Sequence, residues 1–494
     1  MTECFYERYT TMTRSQCIGL IVLVTVVAAN SQTVTAQVAS KTPSLHYRPD
    51  EGSFADAIPF FWKGMYHVFY LRAGVAGGTP WEHISSTDLV HWREHPTALT
   101  LGSPDEPDGK SVFTGSITER DGVFHAWYTG WNPESDHRER IMHATSNDLI
   151  TWTKHPEHTF HADGEVYLDD EGKDFRDPFI VWDDQTQEYW MLLYSRQASD
   201  GRGVLGRYAS KDLVHWRPIQ RLNCGAAGEC PDLFREGDRW HLLQSRGGMW
   251  TASSDRLDGR YEPQGTPQLD TPMLYAVKRL YDGRRHIGFG FVRDLRERSD
   301  FAAPSWGGTM CLPRQIYADQ SGKLRTQVPD EIVQACSETF WDLSNQPQLD
   351  VRAGEWTYEG ATLKAKGDHV CGVFDVPADY MLLLETKPSP IGKMVIRFRD
   401  QGAHDVGYTL TVDMFHQTTE LRGPLYTYER RTPIPNDKPV VVRAFLDSDI
   451  LECFVNDAHS FTIRCYDFRD GDLMIQANDG GLTVQKLELR QLPH

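Results

Sequence analysis

One eight-residue pattern recurs along the first part of the chain and restricts the folds open to it. Ser85-Ser86-Thr87-Asp88-Leu89-Val90-His91-Trp92 is echoed by Thr145-Ser146-Asn147-Asp148-Leu149-Ile150-Thr151-Trp152 and by Ala209-Ser210-Lys211-Asp212-Leu213-Val214-His215-Trp216. A degraded fourth copy stands at Ala252-Ser253-Ser254-Asp255, and the first three aspartates sit 60 and 64 residues apart. Each copy follows an apolar strand, a tight polar turn and an aromatic-rich return strand. The turns fall at Lys63-Gly64, Asp121-Gly122, Asp183-Asp184 and Glu236-Gly237-Asp238, and a fifth hairpin turns at Asp282-Gly283. Asp-Gly between apolar runs is a strong hairpin signal. Repeats of about four strands per unit read as propeller blades, so the pattern predicts five blades over residues 43–329. A long β-sandwich with coincidental repeats is the alternative.

Past Pro329 the marker disappears. Alternating β-rich segments take over at Thr362–Ala365, Met394–Phe398, Val440–Leu446 and Leu451–Val455, with turns at Asn456-Asp457 and Asp479-Gly480-Gly481. They predict a C-terminal β-sandwich over residues 340–494, with the boundary between Pro329 and Asp342 around a short helix at Asp330–Cys336. The expected fold class is therefore all-β, and 494 residues suffice for two domains. The 14 tryptophans and 20 tyrosines suit aromatic β surfaces.

A net charge of −18 argues against a nucleic-acid partner or an anionic membrane surface. The apolar run Ile18–Ala29, followed by small residues at Val34-Thr35-Ala36, reads as a secretory signal within residues 1–36. That places the mature protein outside the cell or in a periplasm, free of the membrane. A retained anchor is the alternative reading, and Met12 offers a more ordinary start than Met1. Seven of nine cysteines lie beyond that segment, too few for a disulfide framework, although Cys453 and Cys465 are placed to pair across a hairpin. No Cys-x-x-Cys or His-Glu-x-x-His motif marks a metal site, and no cofactor is expected. The sequence leaves the oligomeric state open.

Three of the predicted hairpins are entered through an acid: Asp56 ahead of Pro59, Asp177 ahead of Pro178, and Glu229 ahead of Pro231. Singly, each reads as a turn-former. Jointly, at matching points of repeated units, they predict carboxylates converging on the axis of the propeller. Converging carboxylates suit glycosidic bond cleavage, which needs one as nucleophile and another as proton donor. Arg176 beside Asp177 should keep that carboxylate ionised. Glu229, with little positive charge near it in sequence, is the candidate for a proton held near neutral pH.

These motifs resemble glycoside hydrolase family 32, the invertase, inulinase and levanase family. The resemblance rests on Arg176-Asp177-Pro178, Glu229-Cys230-Pro231-Asp232-Leu233-Phe234, Lys63–Tyr70, Trp306–Arg314 and Glu452–Asp457. It implies a five-bladed propeller joined to a β-sandwich. It also implies Asp56 as nucleophile, Glu229 as acid/base, Asp177 as transition-state stabiliser, and retention through a covalent glycosyl-enzyme. Phe113-Thr114-Gly115-Ser116 resembles the family segment that faces the sugar, and Trp81 matches a family tryptophan near it. Trp306 is a further candidate wall, and Arg176 a ligand for sugar hydroxyls. Each tryptophan reads equally well as core packing.

Two positions depart from the family pattern. Ala55 stands where the family carries the asparagine that holds the terminal fructose, and Leu71 where it carries a glutamine. The expected function is release of fructose from β-fructofuranosides such as fructans or sucrose-related oligosaccharides. Hydrolysis of another furanoside such as an arabinofuranoside, fructosyl transfer, and a carbohydrate-binding propeller without turnover are the alternatives.

Overall fold

The computed structural model describes residues 44–493 except 170–171, 264–267, 388–391, 403–405, 435–437 and 479–480. The expected signal segment and the Asp479-Gly480 turn lie outside the described residues. All five predicted hairpins form, and each begins an antiparallel group. The first group runs Ser53–Trp62, Met65–Ala73, Trp81–Ser86 and Arg93–Glu94; the second runs Ser111–Arg120, Val123–Trp131, Glu139–Ser146 and Thr153–Lys154. The third comprises Arg176–Asp183, Glu188–Arg196, Gly203–Ser210 and Arg217–Ile219, and the fourth Glu229–Glu236, Arg239–Ser245 and Met249–Ser254. The fifth opens with Leu274–Tyr281 and His286–Leu295, against which Pro304–Met310 and Arg314–Ala318 pair.

The first strand of each group touches the first strand of the next, and the fifth returns to the first, which closes a ring. Pro304–Met310 also pairs with Ser53–Trp62 through Phe54 and Gly308, so the end of the last group is stitched to the start of the first. Five groups in a ring are the organisation expected of a five-bladed propeller.

The recurrent marker has a physical basis. In its three complete copies an aspartate carboxylate accepts from two backbone N–H groups: Asp88 from Val90 and His91, Asp148 from Ile150 and Thr151, Asp212 from Val214 and His215. Ser86, Ser146 and Ser210 cap the same turns through their hydroxyls. The following leucine is buried with a left-handed backbone each time, at φ 67°, 63° and 66°. The motif is thus a self-contained turn joining the third strand to the outermost one.

The helix predicted at the boundary forms over Asp330–Ala335. Beyond it, antiparallel strands from Thr339 to Arg490 enclose one apolar core that includes Leu382, Ile396, Leu410, Val442 and Ile475. A second cluster spans both parts of the chain, bringing Met381, Phe445 and Phe454 against propeller residues such as Phe289 and Met310. Ion pairs run along the same join. Arg314 meets Asp270 and Glu452 at 3.1 and 3.0 Å, His46 meets Asp447 at 2.7 Å, and Arg464 meets Asp449 at 2.8 Å. Arg48 and Arg298 also bind Asp449.

One sequence expectation fails here. All seven cysteines in the described residues are free and buried, Cys453 and Cys465 included. The hairpin register sets Cys453 opposite Phe461, while Cys465 lies beyond the last pair, Ile450 with Arg464.

Candidate active site

Each of the five innermost strands carries a β-bulge near its start. The register shifts between Ala55 and Ala57, between Phe113 and Gly115, opposite Leu192–Tyr194, between Glu229 and Asp232, and between Tyr275 and Lys278. A bulge inserts an unpaired residue and re-aims its side chain. The residues so displaced are Asp56, Thr114, Asp177-Pro178, Cys230-Pro231 and Ala276-Val277. Asp177, Cys230 and Ala276 adopt positive φ (63°, 49° and 50°), a conformation that costs non-glycine residues about 1–3 kcal/mol and here sits at the carboxylates. The acids therefore lie within the strands, at their bulges, and not ahead of them as the sequence suggested.

The bulges bring Asp56, Asp177 and Glu229 together around Cys230. Thr114 Oγ1 donates to Asp56 Oδ2 at 2.5 Å, and the Cys230 thiol lies 3.7 Å from the same oxygen. The other Asp56 oxygen, Oδ1, is buried without a hydrogen-bond partner. Cys230 N–H donates to Asp177 Oδ2 at 2.9 Å, and its sulfur sits 3.6 Å from that atom. Asp177 N–H in turn donates to Thr129 Oγ1 at 2.9 Å. Burial and three carboxylates push the Cys230 thiol well above its ordinary value, so it stays protonated as a donor to its acidic neighbours.

Arg176 favours the ionised form of Asp177 through space, as expected, but its hydrogen bonds go elsewhere, and the positive charge sits directly on Glu229. Its guanidinium donates to Glu229 Oε1 at 2.8 Å, to both oxygens of Glu139 at 3.1 Å, and to Asp174 at 2.9 Å. It also stands 4.9 Å from the Tyr194 ring centre. Burial pushes the Asp177 carboxyl up to about 7; the nearby arginine charge opposes this, while Glu229 and Asp56 add to it. Asp56 is likewise raised, by burial first and by Glu229, against the bond from Thr114. Glu229 is the most open of the three, with 38% of its side chain exposed, and Tyr275 Oη donates to its Oε2 at 2.9 Å.

The remaining predicted residues divide. Thr114 is fully buried on Asp56, and Phe113 is half-buried, stacked on Trp131 with centroids 5.5 Å apart. Trp306 is exposed at the edge of the strand that closes the ring. Trp81 is wholly buried; its indole N–H donates to Phe113 O at 2.9 Å, so it props the segment behind the site and offers no face to a sugar. Ala55 and Leu71, the two departures, are direct cross-strand partners and both fully buried. Sequence reading missed Glu139, Asp174 and Tyr275. Glu139 starts a strand with no motif at it, Asp174 lies in the loop two residues ahead of Arg176, and Tyr275 lies at the start of the fifth innermost strand, the repeat position that would have located it.

Among the described residues two groups elsewhere could hold a cation, His137 with His161 and Asp169, and His155 with Glu157 and His158. Neither includes a member of the carboxylate cluster.

Residues 46–329 match the family model for the glycosyl hydrolases family 32 N-terminal domain. Raffinose invertase of Escherichia coli is 30% identical over 459 residues, covering 85% of this chain and 88% of that protein. The insoluble beta-fructofuranosidase isoenzyme CWINV1 of Arabidopsis thaliana is 27% identical across 64% of this chain; the match spans 65% of its own length, just under two thirds. Among solved structures, fructan 1-exohydrolase IIa from Cichorium intybus superposes with a TM-score of 0.71 at 18% identity, covering 91% of this chain and 97% of that one. A variant of it has been solved with 1-kestose. These likenesses support an all-β fold of propeller and sandwich.

Proposed function

The chain belongs to glycoside hydrolase family 32, and on that premise we propose that it is a secreted retaining hydrolase that releases fructose from β-fructofuranosides. The observation that carries this reading is Asp56, buried and pinned through Oδ2 by Thr114 while Oδ1 has no partner. A nucleophile needs that asymmetry: one oxygen fixes the carboxylate and the other is free to attack. Asp56 would add to the anomeric carbon as Glu229 protonates the departing glycosidic oxygen. Glu229 would then take a proton from the water that releases the sugar, with net retention. Its partial exposure suits both the leaving group and the incoming water.

Asp177 would bind sugar hydroxyls. Its carboxyl, which titrates near 7, donates below that pH and accepts above it. Arg176, held by Glu139 and Asp174, fixes Glu229 on one side, and Tyr275 fixes it on the other. We assign catalysis to residues 43–329 and a supporting role to the sandwich of residues 340–494.

A second reading is favoured by one observation. Ala55 and Leu71 form a buried apolar pair beside Asp56, which suits a furanoside with fewer hydroxyls to satisfy there, such as an arabinofuranoside. Assay of sucrose, inulin, levan and aryl arabinofuranosides separates the two by the sugar released. Glu229→Ala tests the mechanism: turnover should fall by about 10²–10⁴-fold and recover partly with azide. Unchanged turnover would remove Glu229 from the reaction.

A further inference from the structure

A cavity of about 500 Å³ lies where the fourth and fifth strand groups meet the C-terminal strands, and none of the three carboxylates lines it. Its lining is basic, with Lys323, Arg325, Arg430 and Arg431, in a chain whose net charge is −18. Arg430 is 9% exposed. Its guanidinium donates to two neutral backbone acceptors, Gln268 O at 2.9 Å and Ser460 O, and stands 4.4 Å from the centre of the Phe461 ring. Arg325 is paired with Asp319 at 2.8 Å. Among the described residues no carboxylate forms an ion pair with Arg430, Arg431 or Lys323.

Asp270 is the acid that acts on Arg430 through space. It is already engaged by Arg314 at 3.1 Å and by the Ser460 and Thr462 hydroxyls. The surplus of positive charge registers on the neighbouring imidazole: burial first, then Arg430 and Arg325, hold His459 down to about 3. A buried guanidinium without a counter-charge is costly unless an anion supplies one.

We propose that this cavity binds a small oxyanion ligand, a phosphate- or sulfate-bearing molecule, with Arg430 as the buried anchor and Lys323 and Arg431 at the rim. Guanidinium groups match such oxyanions with parallel N–H donors. The volume lies within the range of small-molecule sites and leaves room for a sugar-sized body beside the anion, where Thr251 and Gln268 present polar groups. The site is independent of the fructoside reading.

The test titrates the whole protein at fixed ionic strength with inorganic phosphate and with glucose 6-phosphate, using glucose as the neutral control, by calorimetry and thermal unfolding. Saturable binding of the anions with a raised Tm is expected, and none of glucose. The double variant Lys323→Gln, Arg431→Gln should lose at least 10-fold in affinity while hydrolysing its substrate normally, and Arg430→Met should abolish binding. Asp56→Asn should bind as the parent does. Absent saturation, equal binding of glucose, full affinity in the rim double variant, or loss of binding in Asp56→Asn would each overturn the proposal. Should Arg430→Met fail to fold, the rim variant decides.

Discussion

At the propeller axis, Asp56 and Asp177 are buried while Arg176 gives its hydrogen bonds to Glu229, Glu139 and Asp174. At the join with the sandwich, Asp449 alone meets Arg48, Arg298 and Arg464. The residue types and the depth of burial are alike, but the partners differ. Burial raises both axial carboxyls, and their neighbours do not undo it. Burial also opposes ionisation of Asp449, Glu452 and Asp447, yet bonds and charges from the basic residues around them more than reverse it, leaving all three below the ordinary range. Matched charges weld two sheet systems; mismatched ones keep a carboxylate under tension for chemistry. The protein separates the two uses by where it spends its arginines.

Exchanging one acid in each region should produce opposite results. Asp56→Asn should lower turnover by about 10⁴-fold or more with Tm unchanged or raised, because it removes a desolvated charge from like neighbours. Asp449→Asn should cost about 3 kcal/mol of stability, since it removes a buried charge from beside Arg464, which keeps only Asp294, and from the more open Arg48 and Arg298, with turnover per folded molecule preserved. Steady-state kinetics and denaturant unfolding of the pair check both halves. Loss of stability in the first variant, or of turnover alone in the second, would break the comparison.

A smaller effect concerns pH. The Asp177 carboxyl titrates near 7 in the folded protein and near ~3.9 in an unfolded chain. Between those values the folded state binds the extra proton, so this residue makes stability fall as pH rises from about 4 to 7. The join acids act in the opposite sense: their depressed folded values add stability above the usual carboxylate range and forfeit it as acid protonates them. Asp177→Asn should therefore flatten the decline between about pH 4 and 7, leaving the loss in stronger acid untouched. A stability profile that keeps its decline in the variant would assign it to another group.

Much of this organisation is legible in residues alone. The Asp-Gly turns and the Ser-x-Asp-Leu turns are local chemistry, closed by hydrogen bonds within a few residues, and all five hairpins formed where those signals stood. The three carboxylates were found because they repeat at matching points of the blades. Tertiary partners were not legible in the same way. Arg176 adjoins Asp177 in sequence and acts on it only through space, while its hydrogen-bond partners, Glu139 and Glu229, lie 37 and 53 residues away. Trp81 reads as a sugar wall or as core until burial decides it. Nothing in the sequence distinguishes Asp447 and Asp449 from surface acids, because their basic partners come from distant segments of the chain.

Tyr275 offers the finest test of the contrast between matched and mismatched acids, since Glu229 has a partner of each kind: a cation in Arg176 and a neutral hydroxyl in Tyr275. Burial, followed by the charges of Glu229 and Cys230, pushes the Tyr275 phenol far above its usual range, so it donates at every working pH. Its bond to Glu229 Oε2 orients the carboxyl without neutralising it. A hydrogen bond to a charged group is worth about 1.5–3 kcal/mol, which converts to roughly 10–100-fold in rate if it is made fully in the transition state. Tyr275→Phe should then lower kcat by about 10-fold with KM and Tm nearly constant, and azide should not restore it, because the acid is still present. Rescue by azide would mean that the phenol itself transfers the proton, and a change confined to KM would mean that it binds sugar and leaves Glu229 alone.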